Sequence, residues 1–351
     1  MTRTLHSPED LVRAGLVSPG QQDKLVPVAE KYAIAITPAM AALIRPDDPD
    51  DPIARQFVPD TAELHTSPEE VTDPIGDAAH SPLPGLVHRY PDRVLLKLLH
   101  ACPVYCRFCF RREMVGPGGE SMSAKDLDAA LGYIHNNPQI REVILTGGDP
   151  LMLSPRRMAD IVKRLDAIAH LDVIRLHTRV PVVDPDRVTE DLVSTLKTTD
   201  SAVWMAIHTN HPRELTSGAV EAIRRLADAG IALVAQTVLL RGVNDDPAVL
   251  EELFRRLVRA RVKPYYLHHP DLAPGTARFR LSLEEGQRIM AALRGRVSGL
   301  CQPTYVLDIP DGYGKVPVGP SYLEGSDVKG WIVRDPWGHC HSWPLQKKAE
   351  T

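Results

Sequence analysis

From about residue 93 the chain repeats an apolar strand-like run, a loop and a helical pattern six times in succession. Such a repeat predicts a parallel sheet, because each helix returns the chain across the sheet through a right-handed connection. The strand-like runs are residues 94–99, 143–146, 173–177, 203–208, 232–239 and 264–268. The helical patterns are residues 124–135, 156–168, 187–197, 214–229, 248–259 and 284–293.

We predict an α/β fold in which these units form an open (β/α)6 barrel, a partial TIM barrel. A doubly wound sheet is disfavoured, because no Gly-x-Gly-x-x-Gly motif follows the first strand. Residues 1–45 have helical character, whereas residues 46–86 are rich in Pro, Asp and Thr and predict an extended arm or a linker. The expected organisation is an N-terminal region over residues 1–86, a core over 87–299 and a C-terminal segment over 300–351.

Three cysteines, Cys102, Cys106 and Cys109, follow the first strand with the spacing Cys-x3-Cys-x2-Cys. Three thiolates on one short loop can bind three corners of a cubane [4Fe–4S] cluster, whereas an electron-transfer cluster normally takes four cysteines. The fourth iron is then free to bind S-adenosylmethionine (SAM) and to pass it an electron. The alternatives are a zinc site with His100 as fourth ligand and a disulfide. Zinc sites favour paired ligands of other spacing, and a disulfide leaves one thiol over.

Composition excludes several classes of function. Apolar residues make up 43% and charged residues 25% of the chain, which is ordinary for a globular protein. The net charge of -4 gives no electrostatic basis for binding nucleic acid or an anionic membrane. No run approaches the ~18 apolar residues of a membrane-spanning helix, and the N-terminus lacks an apolar signal segment. With five cysteines and no export signal, we expect a cytoplasmic protein.

Polar residues follow several of the predicted strands. Gly147, Gly148 and Asp149 end the second strand, and paired glycines let a backbone approach a ligand closely. With the cysteine loop one strand away, we interpret this turn as a clamp on the methionine part of SAM; without that loop, a tight turn would be the better explanation of the glycines. His208 ends the fourth strand and Gln236 lies within the fifth. Because the carboxyl ends of parallel strands meet at one rim, these side chains predict a lined pocket there.

Lys315 follows a strand-like run and a glycine-rich turn. A lysine buried beside other cations loses proton affinity and becomes a usable amine, as a Schiff base with pyridoxal phosphate (PLP) requires. Taken alone, Lys315 is better explained as an exposed loop lysine, and the interpretation as a Schiff-base lysine depends on the resemblance given below. Asp271 and Asp308 can bind an alkylammonium group if they converge, or can cap turns. Arg111 can bind a carboxylate through two hydrogen bonds, or can lie in solvent.

These motifs together resemble lysine 2,3-aminomutase and its relatives, a PLP-dependent branch of the radical SAM superfamily. The resemblance extends from about residue 84 to residue 324. The matching stretches are residues 88–94, the cysteine loop and residues 147–149, 208–212, 236–245 and 312–315.

The resemblance implies an isomerase that converts L-lysine to β-lysine through hydrogen abstraction by a 5′-deoxyadenosyl radical and a 1,2-amino migration. The alternatives are an aminomutase that acts with elongation factor P, or a 2,3-aminomutase for a related amino acid. The implied cofactors are a [4Fe–4S] cluster, SAM and PLP. By position, the cluster ligands are Cys102, Cys106 and Cys109; SAM contacts are Gly147, Gly148, Asp149, His208 and Gln236; PLP contacts are Arg89, Tyr90, Arg93 and the covalent Lys315; and substrate contacts are Arg111 for the carboxylate and Asp271 with Asp308 for the side-chain ammonium.

The tail departs from the family pattern. The C-terminal cysteine cluster that builds an intersubunit zinc site in clostridial-type enzymes is replaced by a tail with one cysteine, Cys340. The resemblance further implies an electron donor such as flavodoxin or ferredoxin, a homo-oligomer and, for the alternative function, the elongation factor P pathway.

Overall fold

The structure is a computed structural model that describes residues 3–116, 119–197, 199–327 and 330–344. Nine strands of this part form one sheet in which neighbours along the chain are neighbours in space. They are β1 (Leu86–Tyr90), β2 (Arg93–Leu99), β3 (Glu142–Gly147), β4 (Val173–Thr178), β5 (Ala202–His208), β6 (Ala232–Val238), β7 (Lys263–His268), β8 (Thr304–Ile309) and β9 (Gly314–Pro317).

Strands β2 to β8 run parallel, and β1 and β9 are antiparallel strands at the two edges. The two edges approach each other, since the hydroxyl of Tyr90 on β1 accepts a hydrogen bond of 2.8 Å from the backbone nitrogen of Lys315 on β9. The predicted partial barrel is therefore confirmed, with all six predicted strands in place. Strands β1, β8 and β9 extend it beyond the predicted six units.

Helices cover the outer face of the barrel and the N-terminal region. They are α1 (Pro8–Arg13), α2 (Pro19–Lys31), α3 (Pro38–Ala41), α4 (Pro52–Phe57), α5 (Ala124–His135), α6 (Pro155–Asp166), α7 (Val180–Val183), α8 (Glu190–Leu196), α9 (Ser217–Asp228), α10 (Pro247–Arg259) and α11 (Leu283–Leu293). Short 3₁₀ helices lie at Thr61–Leu64, Ala78–His80, Pro150–Met152, Pro185–Arg187, Pro212–Glu214, Ala277–Phe279, Gly299–Cys301 and Pro310–Gly312. No helix of the described segments is long and apolar enough to cross a bilayer.

The sequence explains why these helices begin and pack where they do. The side chain of Ser154 accepts a hydrogen bond from the backbone of Arg157, which satisfies a free amide in the first turn of α6. Met158, Ile161 and Leu165 then recur at helical spacing and are buried. Each such helix therefore presents one apolar side to the sheet.

Alternation within the strands separates the packing side chains from the functional ones. In β4, Ile174 and Leu176 are fully buried under the helices, whereas Arg175 and His177 point into the barrel. Because successive residues of a strand face opposite sides of the sheet, one strand supplies both the core and the interior lining.

The N-terminal region packs into the same hydrophobic core as the barrel, through Leu11, Ile36 and Phe57 among others. It also contributes buried charge. Glu63 is fully buried and accepts hydrogen bonds of 3.0 and 2.9 Å from the Nε of Arg107, which lies inside the cysteine loop. Arg112 makes a second ion pair with the same carboxylate. The N-terminal region therefore supplies the carboxylate that compensates the buried charges of Arg107 and Arg112.

The C-terminal tail forms a separate antiparallel sheet of three strands, which the sequence patterns did not predict. Its strands are β10 (Leu323–Asp327), β11 (Gly330–Arg334) and β12 (Cys340–Trp343). Trp331 and Trp343 lie opposite each other across β11 and β12, and both are exposed.

Candidate active site

The inner faces of the barrel strands enclose a cavity of about 1140 Å³. This exceeds the ~300–1,000 Å³ of a pocket for one drug-sized ligand, so the cavity has room for more than one bound molecule. Every site residue proposed from the sequence lines it. These are Arg89, Tyr90, Arg93, Cys102, Cys106, Cys109, Arg111, Gly147, Gly148, Asp149, His208, Gln236, Asp271, Asp308 and Lys315.

The three cysteines form one wall of this cavity on the loop after β2. Their sulfurs are free thiols, so the disulfide alternative is wrong for this structure. Within the described ranges, no three His, Cys, Asp or Glu side chains converge closely enough to hold a single metal ion. His100, the fourth ligand of the zinc alternative, is not among the residues that line the cavity. A cubane places its ligands on separate irons, so three spaced thiols at a cavity wall fit a [4Fe–4S] cluster.

Arg179 links the cysteine loop to the end of β4. Its Nη1 donates a hydrogen bond of 2.9 Å to the sulfur of Cys106, and its Nη2 donates to Glu214 at 2.7 Å. Burial raises the pKa of the Cys106 thiol, and the guanidinium of Arg179 opposes that rise. A buried cation at this sulfur favours the thiolate form, which is the form that binds iron.

The glycine turn after β3 packs directly against the start of the cysteine loop. Gly147 has a φ of 108°, and a Cβ on Gly148 would lie 2.2 Å from the carbonyl oxygen of Ala101. The backbone nitrogen of Asp149 donates to that same oxygen at 2.9 Å. The glycines are therefore required by backbone packing, and their role as a clamp on SAM stays a prediction.

Asp149 is a buried brace between two strand ends. Its carboxylate accepts hydrogen bonds of 2.7 Å each from the hydroxyl of Thr178 and the backbone nitrogen of Arg179. It also accepts hydrogen bonds from the backbone nitrogens of Leu151 and Val180. These four donors all belong to the chain, so the contacts seen here fix the rim of the barrel, and a direct contact of Asp149 with SAM remains a prediction.

His208 and Gln236 lie side by side on β5 and β6, where they are partners in the strand register. The Nε2 of His208 lies 3.2 Å from the Oδ1 of Asn210, and its ring contacts that of Phe108 at 5.6 Å between centroids. The amide nitrogen of Gln236 lies 3.5 Å from the Nε2 of His177. Burial lowers the pKa of both histidines well below the usual value, so both are neutral hydrogen-bonding groups at neutral pH.

A cluster of cations surrounds one aspartate at the side of the cavity. Asp77 lies 2.8 Å from Arg111, 3.3 Å from Arg89 and 3.6 Å from Lys97. Burial alone would raise the pKa of Asp77, but Arg111, Lys97 and Arg89 outweigh it and hold that pKa below its ordinary value. The sequence did not identify Asp77 or Lys97 as site residues. Their partners lie up to 34 residues away, and no local pattern marks the contact.

Lys315 lies at the start of β9, opposite Asp308 on β8. Its Nζ forms an ion pair with Asp308 and lies 3.2 Å from the Nδ1 of His268, a contact that the sequence did not predict. Arg93 stacks on Tyr90 with its guanidinium 3.9 Å from the ring centre. These groups fit PLP, because a lysine amine, an aromatic ring and arginines stand on one wall of the cavity.

Asp271 and Asp308 have opposite pKa shifts. Burial and the charge of Asp308 raise the pKa of Asp271 to about 7. Burial acts on Asp308 in the same direction, but the neighbouring His268 and the charge of Lys315 hold the pKa of Asp308 well below its usual range. Within the described residues the Asp271 carboxylate has no hydrogen bond, so it is free to bind a cation.

Comparison with known proteins places the chain in a family. A family model described as Radical SAM superfamily matches residues 96–254, and one described as Lysine-2,3-aminomutase matches residues 290–348. L-lysine 2,3-aminomutase from Clostridium subterminale is 42% identical over 90% of this chain and 76% of the relative. The enzyme of that name from Acetoanaerobium sticklandii is 43% identical over 93% of this chain and 79% of the relative. Glutamate 2,3-aminomutase from Clostridioides difficile is 37% identical over 88% of this chain and 73% of the relative. The chain therefore belongs to the lysine 2,3-aminomutase family of radical SAM enzymes.

Proposed function

We propose that this chain converts L-lysine to β-lysine by moving the α-amino group to the neighbouring carbon. The observation that carries this proposal is the placement of two carboxylates, Asp271 and Asp308, in the same cavity as Lys315 and the three cysteines. A side-chain ammonium is attracted to such a pair, whereas a side-chain carboxylate is repelled by it. Lysine is thus a better substrate for this site than glutamate.

The three cysteines are the proposed ligands of the [4Fe–4S] cluster that a radical SAM enzyme carries. When bound, the cluster and SAM supply a 5′-deoxyadenosyl radical that removes a hydrogen atom, and PLP supplies a conjugated system that spreads the unpaired electron. We assign the PLP linkage to Lys315, and the cofactor's phosphate and ring to Arg89, Tyr90 and Arg93.

The remaining residues orient the substrate. Arg111 holds the α-carboxylate through two hydrogen bonds, and Asp271 with Asp308 holds the side-chain ammonium. Apolar side chains such as Ile144 and Val234 also line the cavity and exclude water from it. Holding both ends of lysine fixes the carbon that loses hydrogen, which lowers the entropic part of the barrier.

The direct test is an anaerobic turnover assay. The protein is reconstituted with iron, sulfide and PLP, then given dithionite, SAM and L-lysine, and β-lysine is sought by mass spectrometry. β-Lysine supports the proposal. If 5′-deoxyadenosine forms without β-lysine, the proposed substrate is wrong. Elongation factor P assayed in parallel then distinguishes a protein-bound lysine from another free amino acid.

Asp308→Asn is expected to raise KM for L-lysine about 10- to 100-fold, because a hydrogen bond to a charged group is worth ~1.5–3 kcal/mol. Steady-state kinetics measure the change. Asp172→Asn is the control, since Asp172 is an exposed cavity residue just before β4, at the opposite end of the barrel strands. Unchanged KM values in both Asp308→Asn and Asp271→Asn would show that the ammonium is held elsewhere.

The KM for L-lysine is expected to rise about tenfold as the pH falls from about 8 to about 6. The pKa of Asp271 is raised to about 7 by burial and by Asp308, with Lys315, Arg111 and Arg89 opposing the rise. Below that pKa the carboxyl group gains a proton and loses the charge that attracts the ammonium. The comparison is with Asp271→Asn, whose profile should be flat over this range. Identical profiles in the two proteins would contradict the assignment.

Three further proposals concern partners and location. The reductant is a flavodoxin or ferredoxin, because cleavage of SAM consumes one electron at a low potential. The protein is a cytoplasmic homo-oligomer. A pull-down of flavodoxin or ferredoxin from a host extract tests the reductant, and the mass of the purified protein in solution tests the homo-oligomer.

A further inference from the structure

The carboxylate of Asp308 has two candidate partners with the same chemistry. Asp308 is the proposed partner of the side-chain ammonium of the substrate, and in this structure it is already paired with the ammonium of Lys315. Both partners are primary ammonium groups on four-carbon chains. They compete for Asp308, since a single carboxylate inside a cavity cannot compensate two cations at equal strength.

We propose that Asp308 alternates between Lys315 and the substrate's ammonium, so that attachment of PLP to Lys315 creates the ammonium-binding site. This inference rests on the proposed function and concerns the order in which the site is filled. It makes cofactor loading and lysine binding mutually dependent through one shared carboxylate.

The covalent step removes the competing charge. The Nζ of Lys315 forms a double bond to the aldehyde carbon of PLP, the carbonyl oxygen leaves as water, and the ammonium gives up one proton to solvent. No oxidant or reductant takes part. Once its nitrogen is bonded to PLP, Lys315 no longer offers Asp308 an ammonium with three donors, so Asp308 regains a free negative charge.

His268 is placed to assist the exchange. Its Nδ1 lies 3.2 Å from the Nζ of Lys315 and 3.7 Å from the Oδ2 of Asp308. A neutral imidazole there accepts a hydrogen bond from Nζ and gives the leaving proton a path away from Asp308. Burial and the charge of Lys315 lower the pKa of His268, which keeps it neutral. The ring of Tyr266 lies over the Nζ of Lys315, with its centre 5.6 Å away.

Asp271 also contributes to the difference between the PLP-free and the PLP-loaded protein. It faces the cavity without a hydrogen bond from the described residues; burial and the charge of Asp308 raise its pKa, and the positive charge of Lys315 opposes that rise. Before loading, the ammonium of Lys315 partly compensates both carboxylates. After loading, neither carboxyl group has that cation beside it, and an incoming alkylammonium is the group that takes its place.

The test measures binding rather than turnover. The probe is 6-aminohexanoate, which has the carboxylate and side-chain ammonium of lysine but no α-amino group; hexanoate is the matched ligand without the ammonium. Calorimetry is run on the full chain with its cluster, with and without PLP. We expect 6-aminohexanoate to bind the PLP-loaded protein about tenfold more tightly than the PLP-free protein, and hexanoate to bind both equally. By reciprocity, 6-aminohexanoate should tighten PLP binding by the same factor.

Lys315→Met supplies a second, independent measurement, because it removes the competing ammonium without PLP. The PLP-free variant should bind 6-aminohexanoate as tightly as the loaded wild type, and adding Asp308→Asn should cancel the gain. Equal affinities of 6-aminohexanoate for the loaded and PLP-free wild type would overturn the inference, as would an equal gain for hexanoate. Failure of the proposed function is seen separately, as the absence of β-lysine in the turnover assay.

Discussion

Cys106→Ala is expected to remove the iron–sulfur cluster and with it all detectable turnover of L-lysine. Cys106 is the middle one of the three proposed ligands and the one whose sulfur receives the hydrogen bond from Arg179. Two remaining thiolates cannot hold a cubane with one open iron, because two irons would then lack protein ligands. Iron and sulfide analysis, the visible absorbance of the cluster and formation of 5′-deoxyadenosine measure the loss.

Cys340→Ala is the matched control for that experiment. Cys340 is an exposed thiol in the C-terminal sheet, far from the cavity wall in sequence and absent from its lining. The control should retain iron and activity at the wild-type level. Turnover by Cys106→Ala at a rate close to wild type would end the radical interpretation of this loop.

Lys315→Ala is expected to abolish the covalent link to PLP and to reduce turnover to background. The side-chain nitrogen of Lys315 is an amine at the cavity wall paired with Asp308, and alanine offers no nucleophile in its place. The absorbance of the linked cofactor should disappear. Reduction with borohydride, followed by peptide mass spectrometry, should find the cofactor on Lys315 in wild type and on no lysine in the variant.

Lys263→Ala is the control that shows whether the loss of linked PLP is specific to Lys315. Lys263 also lines the cavity, but its Nζ is held by the carbonyl oxygens of Pro264 and Gln302 at 2.8 and 2.9 Å. We expect the Lys263→Ala variant to keep the full absorbance of the linked cofactor. Retention of the linked cofactor in Lys315→Ala would place the attachment on another lysine.

Much of the fold was predictable because the barrel repeats a local pattern. Alternating burial within strands such as β4 and the apolar side of α6 are local consequences of residue order, and both agree with the predicted ranges. The strand ends then placed Gly147, His208 and Gln236 at one rim without any knowledge of distant contacts.

The residues that escaped prediction act through distant partners. Asp77 lies in a segment with many aspartates, and only the folded chain brings it to Arg111, 34 residues away. His268 faces Lys315 across 47 residues. The edge strand β9 has four residues, too few for a periodic signal. In each case the information lies in tertiary contact, which local patterns do not contain.

The buried pair of Glu63 and Arg107 has a consequence for engineering the enzyme. Arg107 lies between Cys106 and Cys109 in the chain, and its charge is compensated by Glu63, which precedes the barrel. Breaking such a buried pair typically costs ~3–5 kcal/mol, because the remaining ion is left unpaired. A chimera that joins the barrel of this protein to the leading segment of a relative must therefore carry a carboxylate at the position of Glu63. Otherwise, joining the two segments just before β1 would leave Arg107 of the cysteine loop buried without its carboxylate partner.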